Sequence, residues 1–149
     1  MLWMKTETIT ICVSYMRKKD MIDLVHKHLL VRAEILKPPT STFWCSSWLT
    51  SLVSKIDMKI LKGPVVAYSD MVGNRGLTGL VVIETSHIAF HSWDEGIPAI
   101  LQLDIYSCKD FEPKHIFEEL EVFNLQKLEY KFLDRENNFK TIERNVYEY

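Results

Sequence analysis

The sequence predicts an α+β fold, a two-layer sandwich in which helices cover one face of a mainly antiparallel sheet. Apolar residues recur at helical spacing in some stretches and alternate, with β-branched enrichment, in others. Taken in order, these stretches read β-α(α)-β-β-β-β-α-β-β, the pattern of helices packed on a single sheet. With 149 residues, 47% of them hydrophobic, the chain can bury one sizeable core, so one domain is expected over 1–149.

Thr6 to Tyr15 alternates Thr8 and Thr10 against Ile9, Ile11 and Val13 and reads as a first strand. From Lys18 to Leu36 the spacing turns helical: Met21, Leu24, Val25 and Leu29 form a stripe, and Asp20 and Asp23 suit a helix start. Lys37-Pro38-Pro39 ends that helix, because proline lacks a donor and restrains its predecessor. A second helix is expected over Thr40 to Asp57. Its Trp44, Trp48, Leu52 and Ile56 share a face that reads as core, and Ser41 or Thr42 caps it.

Met58 to Tyr68 returns to strand, with Gly63-Pro64 marking a bulge or an edge. After a loop signalled by Gly73-Asn74, Leu77 to Ile83 is a dense aliphatic run, the mark of a buried strand. The next strand begins at Thr85-Ser86. It points His87, Ala89, His91 and Trp93 one way and Ile88, Phe90 and Ser92 the other. A loop at Asp94 to Pro98 leads to a strand from Ala99 to Cys108. Glu112-Pro113 opens a helix with Ile116, Phe117 and Leu120 inward, and Lys127 to Asp134 with Phe139 to Tyr147 form a hairpin around Glu136-Asn137-Asn138.

Composition narrows the function. A net charge of −2 with scattered Lys and Arg leaves no footprint for nucleic acid; Arg17-Lys18-Lys19 reads as a solvated turn. No run approaches the ~20 apolar residues of a membrane span. The amino terminus lacks the blocks of a signal peptide, so a cytoplasmic protein is expected. Cys12, Cys45 and Cys108 lack metal-like spacing and read as reduced thiols. No metal site is expected: His87 and His91 stand ~13 Å apart along a strand, and His26 and His28, two apart on the presumed first helix, do not face each other.

Taken singly, Ser86 would be a turn residue, His91 a core or rim histidine and Cys108 a small buried side chain. Together they form an ordered set. Gly76-Leu77-Thr78-Gly79, an aliphatic strand, Ser86-His87, His91, Trp93-Asp94-Glu95 and then Asp104-Ile105-Tyr106-Ser107-Cys108 resemble the pyruvoyl-dependent S-adenosylmethionine decarboxylase proenzymes of the short prokaryotic type. The resemblance covers Gly76 to Cys108; the flanks agree only as a pattern of elements.

That resemblance implies self-cleavage between Thr85 and Ser86. The Ser86 hydroxyl attacks the Thr85 carbonyl, His91 removes the Cα proton of residue 86, and Thr78 supports the cleavage intermediate. A pyruvoyl group then heads the fragment 86–149 and serves as the cofactor. By the same resemblance Cys108 is the proton donor, Glu95 holds the substrate ribose, and Trp93 stands beside the substrate. The substrate would be S-adenosylmethionine, decarboxylated to the aminopropyl donor of polyamine synthesis. The family also implies a homodimer whose sheets face each other, with the active sites near that interface.

The sequence departs from the family in four places. Thr85 stands where Glu is common, and a β-branched residue crowds the acyl position. The loop Ser69 to Arg75 lacks the ring that stacks on adenine, leaving Tyr68 or Trp93 to replace it. The spacing from Glu95 to Cys108 is longer than usual. A second helix between the first two strands makes 18–39 an insertion or an elaborated dimer surface. Two alternatives follow: a pyruvoyl decarboxylase of arginine or ornithine, with Arg75 or Asp70 reading the substrate, and an uncleaved homologue acting as a dimeric binding or regulatory protein.

Overall fold

A computed structural model describes residues 25–149. It contains β1 (Lys27–Ile35), α1 (Thr42–Lys55), β2 (Ile60–Ser69), β3 (Gly76–Ile83), β4 (Ser86–Trp93), β5 (Ala99–Ser107), α2 (Pro113–Leu120), β6 (Leu125–Asp134) and β7 (Lys140–Glu148), with a 3-10 turn at Glu121–Phe123. The strands form one antiparallel sheet in the order β2-β3-β4-β5-β1-β6-β7. The α+β sandwich expected from the sequence is therefore the fold.

One expected element is overturned. Residues 27–35 are a strand, not the second half of a helix, and the strand expected at Thr6 to Tyr15 lies outside the described residues. Leu29, Val31, Ala33 and Ile35 are buried in strict alternation, with Arg32 and Glu34 on the other side. Spacings such as Val25 to Leu29 fit a helix by accident. What decides is pairing on both sides, with β5 and with β6, which no local window reveals. One helix, α1, thus separates the first two described strands. Residues 27–39 are the middle of the sheet and its exit loop rather than an added surface.

The sheet buries one face only. Trp48, Leu49, Leu52 and Val53 of α1 and Ile116 and Leu120 of α2 pack against Leu29, Val81, Ile88, Phe90 and Ile105. Ser41 caps α1 by accepting the Trp44 N–H at 3.2 Å. Trp48 donates its ring N–H to the Glu119 carbonyl at 3.1 Å, tying α1 to α2. Trp44, expected in the core, is half-exposed and meets Phe123 edge-on.

The dense run in β3 is likewise half-buried, not buried on both sides. Leu77, Val81 and Ile83 face the helices, whereas Leu80 is 51% and Val82 47% exposed on the open face. Antiparallel sheets tolerate this, since nothing requires helices on both sides. Among the described residues no helix is long and apolar enough to cross a membrane.

Gly63-Pro64 interrupts β2 where its register with β3 shifts, at the sheet edge, as the bulge expectation requires. Gly76 opens β3 at φ +145°, and a Cβ there would overlap the Ser92 carbonyl oxygen. Gly76→Ala is therefore expected to lower stability by at least ~1–3 kcal/mol, read as a shifted urea midpoint. An unchanged midpoint would show that the β3–β4 approach is looser than described.

Candidate active site

Every candidate site residue stands on β3, β4, β5 or their ends. Register places Thr78 opposite His91, Ile83 opposite Ser86, and Ser86 opposite Ser107. The open face presents His87, Ala89, His91 and Trp93 from β4, as the alternation predicts. Two groups of side chains result, one at each end of β4.

The first group surrounds the β3–β4 turn. Glu84 donates its N–H to the Lys59 carbonyl at 2.8 Å, and the Thr85 hydroxyl donates to the Met58 sulfur at 3.2 Å. On the other side the Thr85 carbonyl accepts the N–H of Cys108 at 2.9 Å. Held from both neighbours, the chain enters β4 with Ser86 at φ +146°, a region that is essentially glycine's own. Strain of this kind costs ~1–3 kcal/mol and persists only where the surroundings over-determine it. The Ser86 Oγ lies 3.1 Å from His87 Nδ1.

A cluster of rings holds His87. The Tyr106 ring meets it edge-on at 5.8 Å, and the Arg135 guanidinium lies 4.1 Å over the Tyr106 ring. Asp104 Oδ1 sits 3.7 Å from His87 Nε2 and 2.8 Å from His28 Nε2. His26 and His28, read as helical and non-facing, in fact both touch Tyr106, because residues two apart on extended chain share a side. His26 Nδ1 is hydrogen-bonded to the Tyr106 hydroxyl at 2.7 Å.

Burial alone would raise the Asp104 carboxyl. The hydrogen bond from His28, with the charges of His28, His87 and Arg135, outweighs it and holds the group below its ordinary range. A carboxyl lowered in the folded state contributes stability above its unfolded pKa and loses it as pH falls through the folded value. Asp104→Asn is thus expected to be destabilised at neutral pH, with the difference from wild type closing on acidification through the carboxylate range. Thermal melts at stepped pH check this, and a difference constant with pH would contradict it.

The second group lies at the other end. Thr78 Oγ1 and His91 Nδ1 are 3.1 Å apart across the β3–β4 pair, and the His91 and Trp93 rings stack at 5.9 Å. Trp93 donates its ring N–H to Asn74 Oδ1 at 2.8 Å. Glu95 accepts the backbone N–H groups of Gly73 at 3.1 Å and Arg75 at 3.4 Å, closing the 70–75 loop. The Tyr68 hydroxyl donates to Asp94 at 2.7 Å.

These two groups do not meet in one chain. At ~3.3 Å per residue, His91 stands ~17 Å and Trp93 ~23 Å from Ser86 along a regular strand. Within one protomer, then, Cys108 reaches the Thr85-Ser86 bond, while His91, Thr78, Trp93 and Glu95 do not. The expected action of His91 on its own residue 86 does not fit a single chain. A groove of about 730 Å³ on the open face meets His91 and Asp104 and extends across β1 and β6, past Arg32 and Glu129, to Arg144 of β7.

A profile described as S-adenosylmethionine decarboxylase matches residues 40–136. The chain belongs to the S-adenosylmethionine decarboxylase family. Its fold is similar to the crystal structure of the adenosylmethionine decarboxylase from Aquifex aeolicus VF5, with a TM-score of 0.60 at 18% identity over 76% of this chain and 92% of that one. No curated protein matches the chain. Membership implies a decarboxylase, and the matched span contains β3, β4 and β5, which carry Thr78, Ser86, His87, His91 and Asp104.

Sequence alone assigns His87 no role and does not place Asp104, His28 and Tyr106 around it. The alternation of Asp104 and Tyr106 in β5 was a usable signal. The misreading of β1 hid His28.

Proposed function

We propose that the chain is a self-processing, pyruvoyl-dependent decarboxylase of S-adenosylmethionine that supplies the aminopropyl donor for polyamine synthesis and works as a homodimer. The observation that carries this reading is the strained Ser86, whose preceding carbonyl is already hydrogen-bonded by the Cys108 N–H.

Attack of Ser86 Oγ on the Thr85 carbonyl would convert the amide to an ester and put negative charge on that oxygen, where the Cys108 N–H points. Moving the acyl group off the backbone nitrogen also releases the conformation that φ +146° imposes. The residues therefore fit a pyruvoyl group generated in place. Removal of the residue 86 Cα proton then expels the Thr85 carboxylate and separates fragments 1–85 and 86–149, and water replaces the amino nitrogen of residue 86, which leaves as ammonia. When formed, the pyruvoyl group supplies an electrophilic carbonyl that draws electrons from the substrate carbon losing its carboxylate. Cys108, whose backbone N–H already meets the Thr85 carbonyl, returns a proton from its thiol.

The missing groups come from a second copy. A two-fold axis crossing β4 between Ile88 and Ala89 exchanges position 86 of one chain with position 91 of the other. It also lays the two open faces together. Exposed Leu80, Val82 and Val65 would be buried there. His91 and Thr78 would then reach the partner's residue 86. Trp93 would offer its ring to the adenine in place of the aromatic missing from the 69–75 loop, with Glu95 toward the ribose. Free thiols at Cys45 and Cys108 suit a cytoplasmic setting.

Two measurements test the reading. A denaturing gel of the purified chain should show two fragments meeting at 85/86; one intact band would favour an uncleaved binding or regulatory homologue, as Thr85 suggests. Carbon dioxide release should follow S-adenosylmethionine. Release from arginine or ornithine instead would move the chain to the other substrate class, for which Asp70 and Arg75 of the ring-free loop are the recognition candidates.

A further inference from the structure

Histidine 87 is the one imidazole in contact with the Ser86 hydroxyl, and the role of His91 leaves it unexplained. Its two nitrogens face different partners: Nδ1 lies 3.1 Å from Ser86 Oγ, and Nε2 lies 3.7 Å from Asp104 Oδ1. At 3.7 Å this is an ion-pair distance rather than a hydrogen bond, and the carboxylate's charge favours a proton on Nε2, which leaves the Nδ1 lone pair facing the hydroxyl. Asp104 is itself held by His28 at 2.8 Å, and Tyr106 fixes the imidazole plane from the side. A serine, a histidine and a carboxylate in series form the arrangement that activates a hydroxyl nucleophile.

We propose that His87 is the catalytic base of the first self-processing step, with Asp104 as its positioning residue; this rests on the self-cleavage reading above. His87 Nδ1 takes the Ser86 hydroxyl proton as Oγ bonds to the Thr85 carbonyl carbon. Asp104 stabilises the imidazolium. As the C–N bond breaks, His87 returns that proton to the departing nitrogen of residue 86. One bond forms, one breaks, the proton moves from Oγ to nitrogen, and no other reactant enters. The later removal of the Cα proton belongs to a different group, so His87 and His91 act on different steps.

The test is the rate of precursor conversion on denaturing gels after rapid refolding, for wild type, His87→Asn and Asp104→Asn, each with and without hydroxylamine, which splits an ester but not an amide. His87→Asn is expected to convert ~10²-fold more slowly and to yield no hydroxylamine-released fragments, because it stalls before the ester. Asp104→Asn, which keeps His87, is expected to slow conversion several-fold, with Asp104→Glu recovering part of the rate. If His87→Asn does not fold, an undiminished rate in Asp104→Asn overturns the assignment. Conversion of His87→Asn at the wild-type rate overturns it too, as does an accumulating ester in that variant, which would place His87 after the first step. A wild-type chain that never cleaves removes the self-cleavage reading and this assignment with it.

Discussion

Ser86→Ala is expected to leave a single chain of 149 residues with no decarboxylase activity. The loss should be complete rather than graded, because alanine keeps the backbone path but offers no oxygen to attack Thr85 and no precursor of a carbonyl. Ser86→Gly sharpens the prediction. Glycine adopts φ +146° without the steric penalty serine pays, so this variant should also stay intact and unfold at higher urea, by up to ~1 kcal/mol. Inactivation paired with stabilisation would show that the strain exists for the chemistry. Equal stability of Ser86→Gly and Ser86→Ala would show that position 86 stores nothing.

Complementation between two dead variants has the next largest expected effect. His91→Ala and Cys108→Ala should each be inactive alone, since each damages both sites of a homodimer. Co-expressed, they form mixed dimers in which one site takes Cys108 from the first chain and His91 from the second. Random pairing then restores about a quarter of wild-type activity, given a two-fold dimer with shared sites. No recovery would mean that each chain completes its own site, contrary to the ~17 Å that a strand places between positions 86 and 91.

The sequence made most of this legible, for physical reasons that differ by element. α1, β3, β4, β5 and α2 carry short-range signals: the Ser41 cap, the alternation of His87 to Trp93, and Pro113 at a helix start. β1 does not. Its strand character comes from partners in β5 and β6, about seventy and a hundred positions away in the chain, while its own apolar spacing imitates a helix. Site residues followed the same division. Ser86, His91, Cys108, Thr78, Trp93 and Glu95 were visible as an ordered motif. The distance between its two halves, and the Asp104-His28-Tyr106 shell around His87, appear only once strand register is known. A motif contiguous in sequence is, in three dimensions, two groups of side chains at opposite ends of a strand.

The most direct test of self-processing is the intact mass of the purified wild-type protein under denaturing conditions. Two species are expected, residues 1–85 ending in a free carboxylate and residues 86–149 headed by a pyruvoyl group, which borohydride reduction shifts by two hydrogens. A single mass equal to the uncut 149-residue chain, or a fragment 86–149 headed by unmodified serine, would contradict it.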